Sequence, residues 1–141
     1  MATTRNAHTV WDGNLTDGKG VVTFDSSGIG EQPVSWPSRA EEANGTTSPE
    51  ELIAAAHSSC FAMALSHELT GAGTPPTRLV TSAAVTFQPG VGITGIELTV
   101  EGTVPGLDES AFVAVAEQAK AGCPVSQALA GTEITLRAEL V

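Results

Sequence analysis

The chain has 141 residues, 41% of them apolar and 16% charged, which suits one domain of ordinary size with enough apolar content for a core. Six Lys+Arg against sixteen Asp+Glu give a formal charge of −10, so the chain lacks the basic face that nucleic acid or an anionic membrane needs. With four Phe, two Trp and no Tyr, it also offers few rings on which bases could stack. A charged fraction below the ~25% of average chains predicts that part of the surface is covered, a second copy of the chain being the simplest cover.

Met1–Trp11 has no apolar run of the kind a secretory leader carries. The longest apolar stretch, Leu52–Leu65, is interrupted by His57, Ser58 and Ser59 and falls short of the ~20 residues that span a bilayer. A cytoplasmic protein is expected. The triplets Asn14-Leu-Thr and Asn44-Gly-Thr are then chance matches to the glycosylation pattern, which matters only in secreted chains.

Residues 6–36 carry short β-like runs, Thr9-Val-Trp and Val21-Val-Thr-Phe, punctuated by Asp12-Gly13, Asp17-Gly18 and Ser27-Gly28, as in hairpins. Residues 37–48 read as a polar loop. Ser48-Pro49-Glu50-Glu51 then opens a helix: the serine oxygen caps free N–H groups, proline has no N–H to leave unpaired, and acids suit the positive end of the dipole. Glu51 stands three residues after Ser48, which completes a capping box. The helix is expected to run to about Leu69. It is apolar almost all round, which predicts burial on most sides.

Residues 77–88 and 93–104 alternate as two long antiparallel strands joined by Pro89–Gly92. Asp108–Ala121 is an amphipathic helix with Ala111, Phe112, Val115 and Ala119 on one stripe. Cys123-Pro124 opens a short helix through Leu129, and Thr132–Leu140 alternates as a half-buried closing strand. The order is α+β, without the regular rhythm of a parallel sheet.

Gly90-Val-Gly-Ile-Thr-Gly95 matches the dinucleotide pattern, but a strand follows it where the phosphate-binding motif needs a helix N-terminus. It reads as a turn. Cys60 and Cys123 lie 63 positions apart, so neither a CxxC motif nor finger-type zinc spacing is present. In a chain without export signals a stable disulfide is uncommon and a transient one is the usual exception.

Cys60 sits mid-helix, where the bland reading is a small core hydrophobe. Cys123 precedes Pro124 at a helix N-cap, where the dipole favours thiolate and the bland reading is an incidental cap. His57 is one turn before Cys60. It is either a packed core histidine or, with both cysteines, three ligands of a zinc site lacking a fourth. Arg39 stands beside Glu41 and Glu42, either as a solvated loop charge or as a planar cation able to donate to a thiolate and a carboxylate together. Glu50 and Glu51 are first-turn helix acids on the bland reading.

The segment from Ser38-Arg39 through Thr47-Ser48-Pro49-Glu50-Glu51-Leu52 to His57-Ser58-Ser59-Cys60-Phe61, with the later Cys123-Pro124-Val125-Ser126, strongly resembles the OsmC/Ohr family. The match is to its osmotically inducible OsmC branch and covers essentially the full length. The resemblance implies a single OsmC-like domain over residues 1–141. It implies an α+β fold with antiparallel sheets packed around a long central helix, and an intertwined homodimer. It also implies a thiol-dependent peroxidase that reduces organic hydroperoxides, and hydrogen peroxide more weakly.

Carried over residue by residue, Cys60 falls on the peroxidatic cysteine, Cys123 on the resolving cysteine, Glu50 on the family's glutamate and Arg39 on the arginine of the OsmC branch. Ala40 stands where a bulkier residue is common. No cofactor or metal is implied. The partners implied are a hydroperoxide and a dithiol reductant, of lipoyl type in place of thioredoxin. A thiolate must attack the O–O bond, and burial opposes the charge, so a cation such as Arg39, oriented by Glu50, is needed. Phe61 and Met63 are expected to line an apolar substrate pocket.

The competing reading is a small-ligand or lipid-binding module with idle cysteines, which would need none of the four site residues. One straight helix sets Glu50 ~15 Å from Cys60. Either the helix breaks between them, or the carboxylate serves the other subunit's cysteine.

Overall fold

The structure, a computed structural model, describes all of residues 1–141. The chain divides into two compact units, Met1–Leu52 and Ile53–Val141.

In the first unit β1 (His8–Asp12), β2 (Lys19–Thr23) and β3 (Glu31–Val34) form an antiparallel meander in the order β1-β2-β3. The β1–β2 turn is closed by Asn14, whose Oδ1 accepts from the Asp17 N–H at 2.7 Å while its carbonyl accepts from Gly18 at 2.9 Å. Gly20 pairs with Trp11 and Val34. A Cβ there would stand 2.7 Å from both the Trp11 ring and a Val34 methyl, so only glycine lets Trp11 lie across the sheet.

After β3 the sequence reading of 37–48 as loop gives way to a short helix, α1 (Trp36–Ala40). Its cap is Ser35, whose hydroxyl accepts from the Ser38 N–H while Ser38 Oγ accepts from the Ser35 N–H. A serine at both capping-box positions and Pro37 in the first turn are helix-start features that the polar composition conceals.

The next helix, α2 (Pro49–Gly71), begins as expected: Ser48 Oγ accepts from the Glu51 N–H at 3.1 Å. The reciprocal half of the box is absent, because the Glu51 carboxylate accepts from the Thr47 hydroxyl instead. The helix has no break between Glu50 and Cys60. Its first turn belongs to the first unit and the rest to the second.

In the second unit β4 (Arg78–Gln88) and β5 (Gly92–Thr103) pair antiparallel through a turn with Gly90 and Gly92 at positive φ. The GxGxxG pattern is thus a hairpin turn leading into a strand. Two helices follow, α3 (Glu109–Gly122) and α4 (Pro124–Ala128), and then β6 (Ile134–Leu140). β6 pairs parallel with β5, giving the order β4-β5-β6. This corrects the expectation of purely antiparallel sheets. A strand that returns through an intervening pair of helices comes back in the direction it left, as in any crossover connection.

The core lies in this unit. Phe61, Leu65 and Leu69 of α2 are buried with Ile96, Leu98 and Val100 of β5 and Phe112, Ala116 and Ala119 of α3. The buried residues of α2 recur every fourth position from His57 to Leu69, a single stripe. Within one chain α2 is therefore not buried on most sides. Ala55, Ala56, Ser59 and Met63 face outward, Met63 being 71% exposed. One sheet face covers one side of a helix, and apolar residues beyond that stripe exceed what it can cover. No helix is long and apolar enough to cross a membrane.

Candidate active site

The four candidate residues form two pairs, one in each unit. In the first, Arg39 in the last turn of α1 donates from Nε to Glu50 Oε1 at 2.9 Å. Glu50 is only 7% exposed, and its Oε2 is buried without a hydrogen-bond partner. A buried carboxylate persists where it is paired, and here the arginine fork supplies the charge. α1 brings Arg39 to the start of α2 because Ser38 Oγ lies between the Ser35 and Thr47 carbonyls, at 2.7 and 2.8 Å, and its one proton can be donated to either. Beside this ion pair is a hollow of about 360 Å³, walled by Trp11, Leu15, Val22, Trp36 and Leu52, with Arg39 at its lining.

In the second unit Cys60 and Cys123 are free thiols whose sulfurs lie 3.1 Å apart. Cys60 is partly exposed and Cys123 fully buried. Residues 63 apart in sequence meet because α2 and the α3–α4 junction pack in one core, with Phe61 and Cys123 both members of it. Cys123 ends α3 and is the N-cap of α4, its sulfur near the Val125 and Ser126 N–H groups without closing an ordinary capping bond.

The two thiols are not equivalent. Burial pushes Cys60 up, and the neighbouring Cys123 adds to the rise against a lowering by the Val125 N–H. Burial also opposes charge on Cys123, but the Ser126 N–H, Cys60, the Ser126 hydroxyl and the Val125 N–H together outweigh it and bring Cys123 below its ordinary value. The surroundings of Cys60 in this unit oppose its thiolate, and those of Cys123 favour it.

His57 is fully buried, its Nε2 2.7 Å from Ser126 Oγ, and burial lowers its pKa. The three side chains weighed as zinc ligands do not form a donor group able to hold a metal ion. Phe61 does not line a pocket. At the fourth residue after His57 its ring points into the core and is fully buried, which corrects the expectation made for it. Met63 borders an open surface cleft with His67, Thr70 and Arg78. Ser126 closes the Cys123-Pro124-Val125-Ser126 run. Its one sequence signal is its place three residues past Cys123, where a helix-start side chain can reach back to the cap.

Fold and sulfurs together define an α+β protein that carries two reduced cysteines in contact. Residues 42–138 match the family described as OsmC-like protein. The chain is 47% identical over 133 residues to the peroxiredoxin OsmC of Escherichia coli strain K12, covering 92% of each. It is similar in structure to an OsmC-like protein from Mycoplasma pneumoniae, with TM-score 0.76 at 14% identity over 100% of this chain and 99% of that one. An organic hydroperoxide resistance protein from Elizabethkingia anophelis gives TM-score 0.70 at 25% identity over 100% of both chains. The chain belongs to the OsmC-like protein family.

Proposed function

We propose that this chain is a cysteine-based peroxidase that reduces organic hydroperoxides, and hydrogen peroxide more weakly, in the cytoplasm. The observation that carries the reading is the 3.1 Å contact between two free thiols. A ligand-binding protein has no use for such a pair. The Cys60 thiolate attacks the distal peroxide oxygen, the O–O bond breaks, and the alkoxide leaves and is protonated to an alcohol, with Cys60 becoming a sulfenic acid. Cys123 condenses with it to a disulfide and water. An external dithiol, of lipoyl type, then reduces the disulfide by exchange.

Because burial opposes charge on Cys60, the peroxidatic role requires a cation. Arg39, held by Glu50 at 2.9 Å, is the residue we assign. The largely apolar hollow beside Arg39 suits an organic substituent on the peroxide better than water or hydrogen peroxide. With α2 unbroken from Glu50 to Cys60, the route by which the ion pair serves a thiol is across a homodimer in which each α2 is central. The dimer is supported by the apolar residues facing outward, Met63 on α2 and Val10, Trp11, Leu15 and Ile29 in the first unit. On this reading residues 1–141 act as one domain whose halves complete sites with a second copy.

The deciding measurement is steady-state turnover of tert-butyl hydroperoxide and hydrogen peroxide with dihydrolipoamide or thioredoxin as donor. Turnover with the organic peroxide and dihydrolipoamide is expected to exceed the other combinations. Absence of peroxide-dependent loss of free thiol would leave the ligand-binding reading in its place.

A further inference from the structure

The peroxidase cycle leaves one buried titratable side chain without a task. His57 is fully buried one turn before Cys60, with Nε2 2.7 Å from Ser126 Oγ and Nδ1 buried without a partner. A neutral imidazole carries one proton, on either nitrogen, and burial holds this ring in its neutral form by lowering its pKa. A proton on Nδ1 would orphan a buried N–H, which folded proteins very rarely tolerate; an unprotonated ring nitrogen is the smaller deficit. The proton therefore sits on Nε2 and is donated to Ser126 Oγ. The serine's own hydroxyl hydrogen is then free to turn elsewhere, and the Cys123 sulfur stands close by, Cys123 being the N-cap of α4 and Ser126 its third residue.

We propose that His57 and Ser126 are positioning residues for Cys123: the His57 Nε2–H fixes the Ser126 hydroxyl, and the Ser126 O–H donates to Cys123 Sγ, aiming that sulfur at Cys60 for the resolving step. The inference rests on the reading of Cys123 as the resolving thiol. In that step the Cys123 thiolate attacks the sulfenic sulfur of Cys60. The S–S bond forms and the S–O bond breaks with its electron pair on oxygen, and the hydroxide takes up a proton to leave as water. A donor on Cys123 also favours the reverse exchange during reduction, since a stabilised thiolate is the better leaving group. The titratable groups bearing on Cys123 are Cys60 from α2 and, through Ser126, His57. Lys120 on α3 is engaged by Glu117 at 3.1 Å and by the Ile134 carbonyl.

The test uses the full chain with Ser126→Ala, Ser126→Thr and His57→Gln. In a Cys60→Ser background the ultraviolet absorbance of the Cys123 thiolate is titrated. In the parental background single-turnover mixing with cumene hydroperoxide gives the first oxidation and the disulfide-forming step separately. Ser126→Ala is expected to move the Cys123 titration to higher pH and to lower the ratio of disulfide formation to first oxidation about fivefold, the loss of one ordinary hydrogen bond. Ser126→Thr, which keeps the hydroxyl, restores both, and His57→Gln, which keeps a donor, lies between.

An unshifted Cys123 titration in Ser126→Ala overturns the proposal, as does an equal slowing of both steps. The titration needs no peroxide, so a parental protein inert to cumene hydroperoxide would sink the peroxidase reading while leaving this relay to stand or fall by itself.

Discussion

The two units of the chain are built on different physics. In Met1–Leu52 the buried residues are Gly18, Gly20 and Glu50, while Val10, Trp11, Leu15 and Ile29 are exposed. This unit is held by its strand ladder, the Asn14 turn, two serine caps and one ion pair. In Ile53–Val141 every large core residue from Phe61 to Phe112 is buried in one cluster. The charged half of the candidate machinery thus sits on a frame with little core, and the sulfur half sits on a packed one. A cation that must meet a substrate benefits from partial exposure, whereas two sulfurs that must meet each other benefit from rigid packing.

That contrast is sharpened first by the thiols. Cys60→Ser is expected to abolish hydroperoxide turnover altogether, and Cys123→Ser to allow one turnover before stalling with Cys60 oxidised, read by mass spectrometry of the stalled protein. A Cys60→Ser protein that consumed cumene hydroperoxide at the parental rate would remove the mechanism. Arg39→Ala is expected to slow the first oxidation and to move Cys60 alkylation to higher pH, because the thiol is already pushed up by burial and would lose its cation. Arg39→Ala should also lower the denaturation midpoint, because it leaves the buried Glu50 carboxylate without its cation. Phe61→Ala should act on stability through packing alone, with a loss of about 3–5 kcal/mol in urea denaturation from a fully buried ring.

Legibility follows the same division. The α2 start, the β4–β5 hairpin and the α3 stripe were readable because caps and periodicity act locally. Cys60 and Cys123 were readable as a pair through the family motif alone, since nothing in a separation of 63 residues encodes contact. Three things escaped. The α1 helix hides in polar residues, its capping box made of two serines. The parallel pairing of β6 depends on how α3 and α4 return the chain, which alternation within β6 cannot reveal. The inward turn of Phe61 depends on which stripe of an almost uniformly apolar helix meets the sheet, and a helix with no polar face gives no phase.

Two glycines probe the frames themselves. A Cβ at Gly102 would stand 2.5 Å from the Phe112 ring, and one at Gly18 would stand 2.2 Å from the Asn14 carbonyl and 2.7 Å from that of Asp12. Gly102→Ala and Gly18→Ala should each cost about 1–3 kcal/mol through overpacking. They differ in rescue. Adding Phe112→Leu should recover part of the Gly102→Ala loss in a double-mutant cycle, because the obstacle there is a side chain. No side-chain change can relieve Gly18→Ala, whose obstacle is backbone. If the Gly102→Ala loss were purely additive with Phe112→Leu, the close packing described for the second unit would be wrong at its centre.

The smallest effect is expected where the sheet of the second unit meets water. Arg137 on β6 approaches Glu97 on β5 at 3.6 Å, both side chains more than half exposed. Thr99 is the direct parallel partner of Arg137 and Thr135 that of Glu97, so the charged pair runs diagonally across the sheet. A solvated pair of this kind contributes about 0–1 kcal/mol, and Arg137→Ala should fall at the low end, shrinking further as salt is added. A salt-insensitive loss of several kcal/mol would mean that this sheet face is dehydrated in solution. The cover would then lie over β5 and β6 as well as over α2, and the surface assigned to the second copy would have to be redrawn.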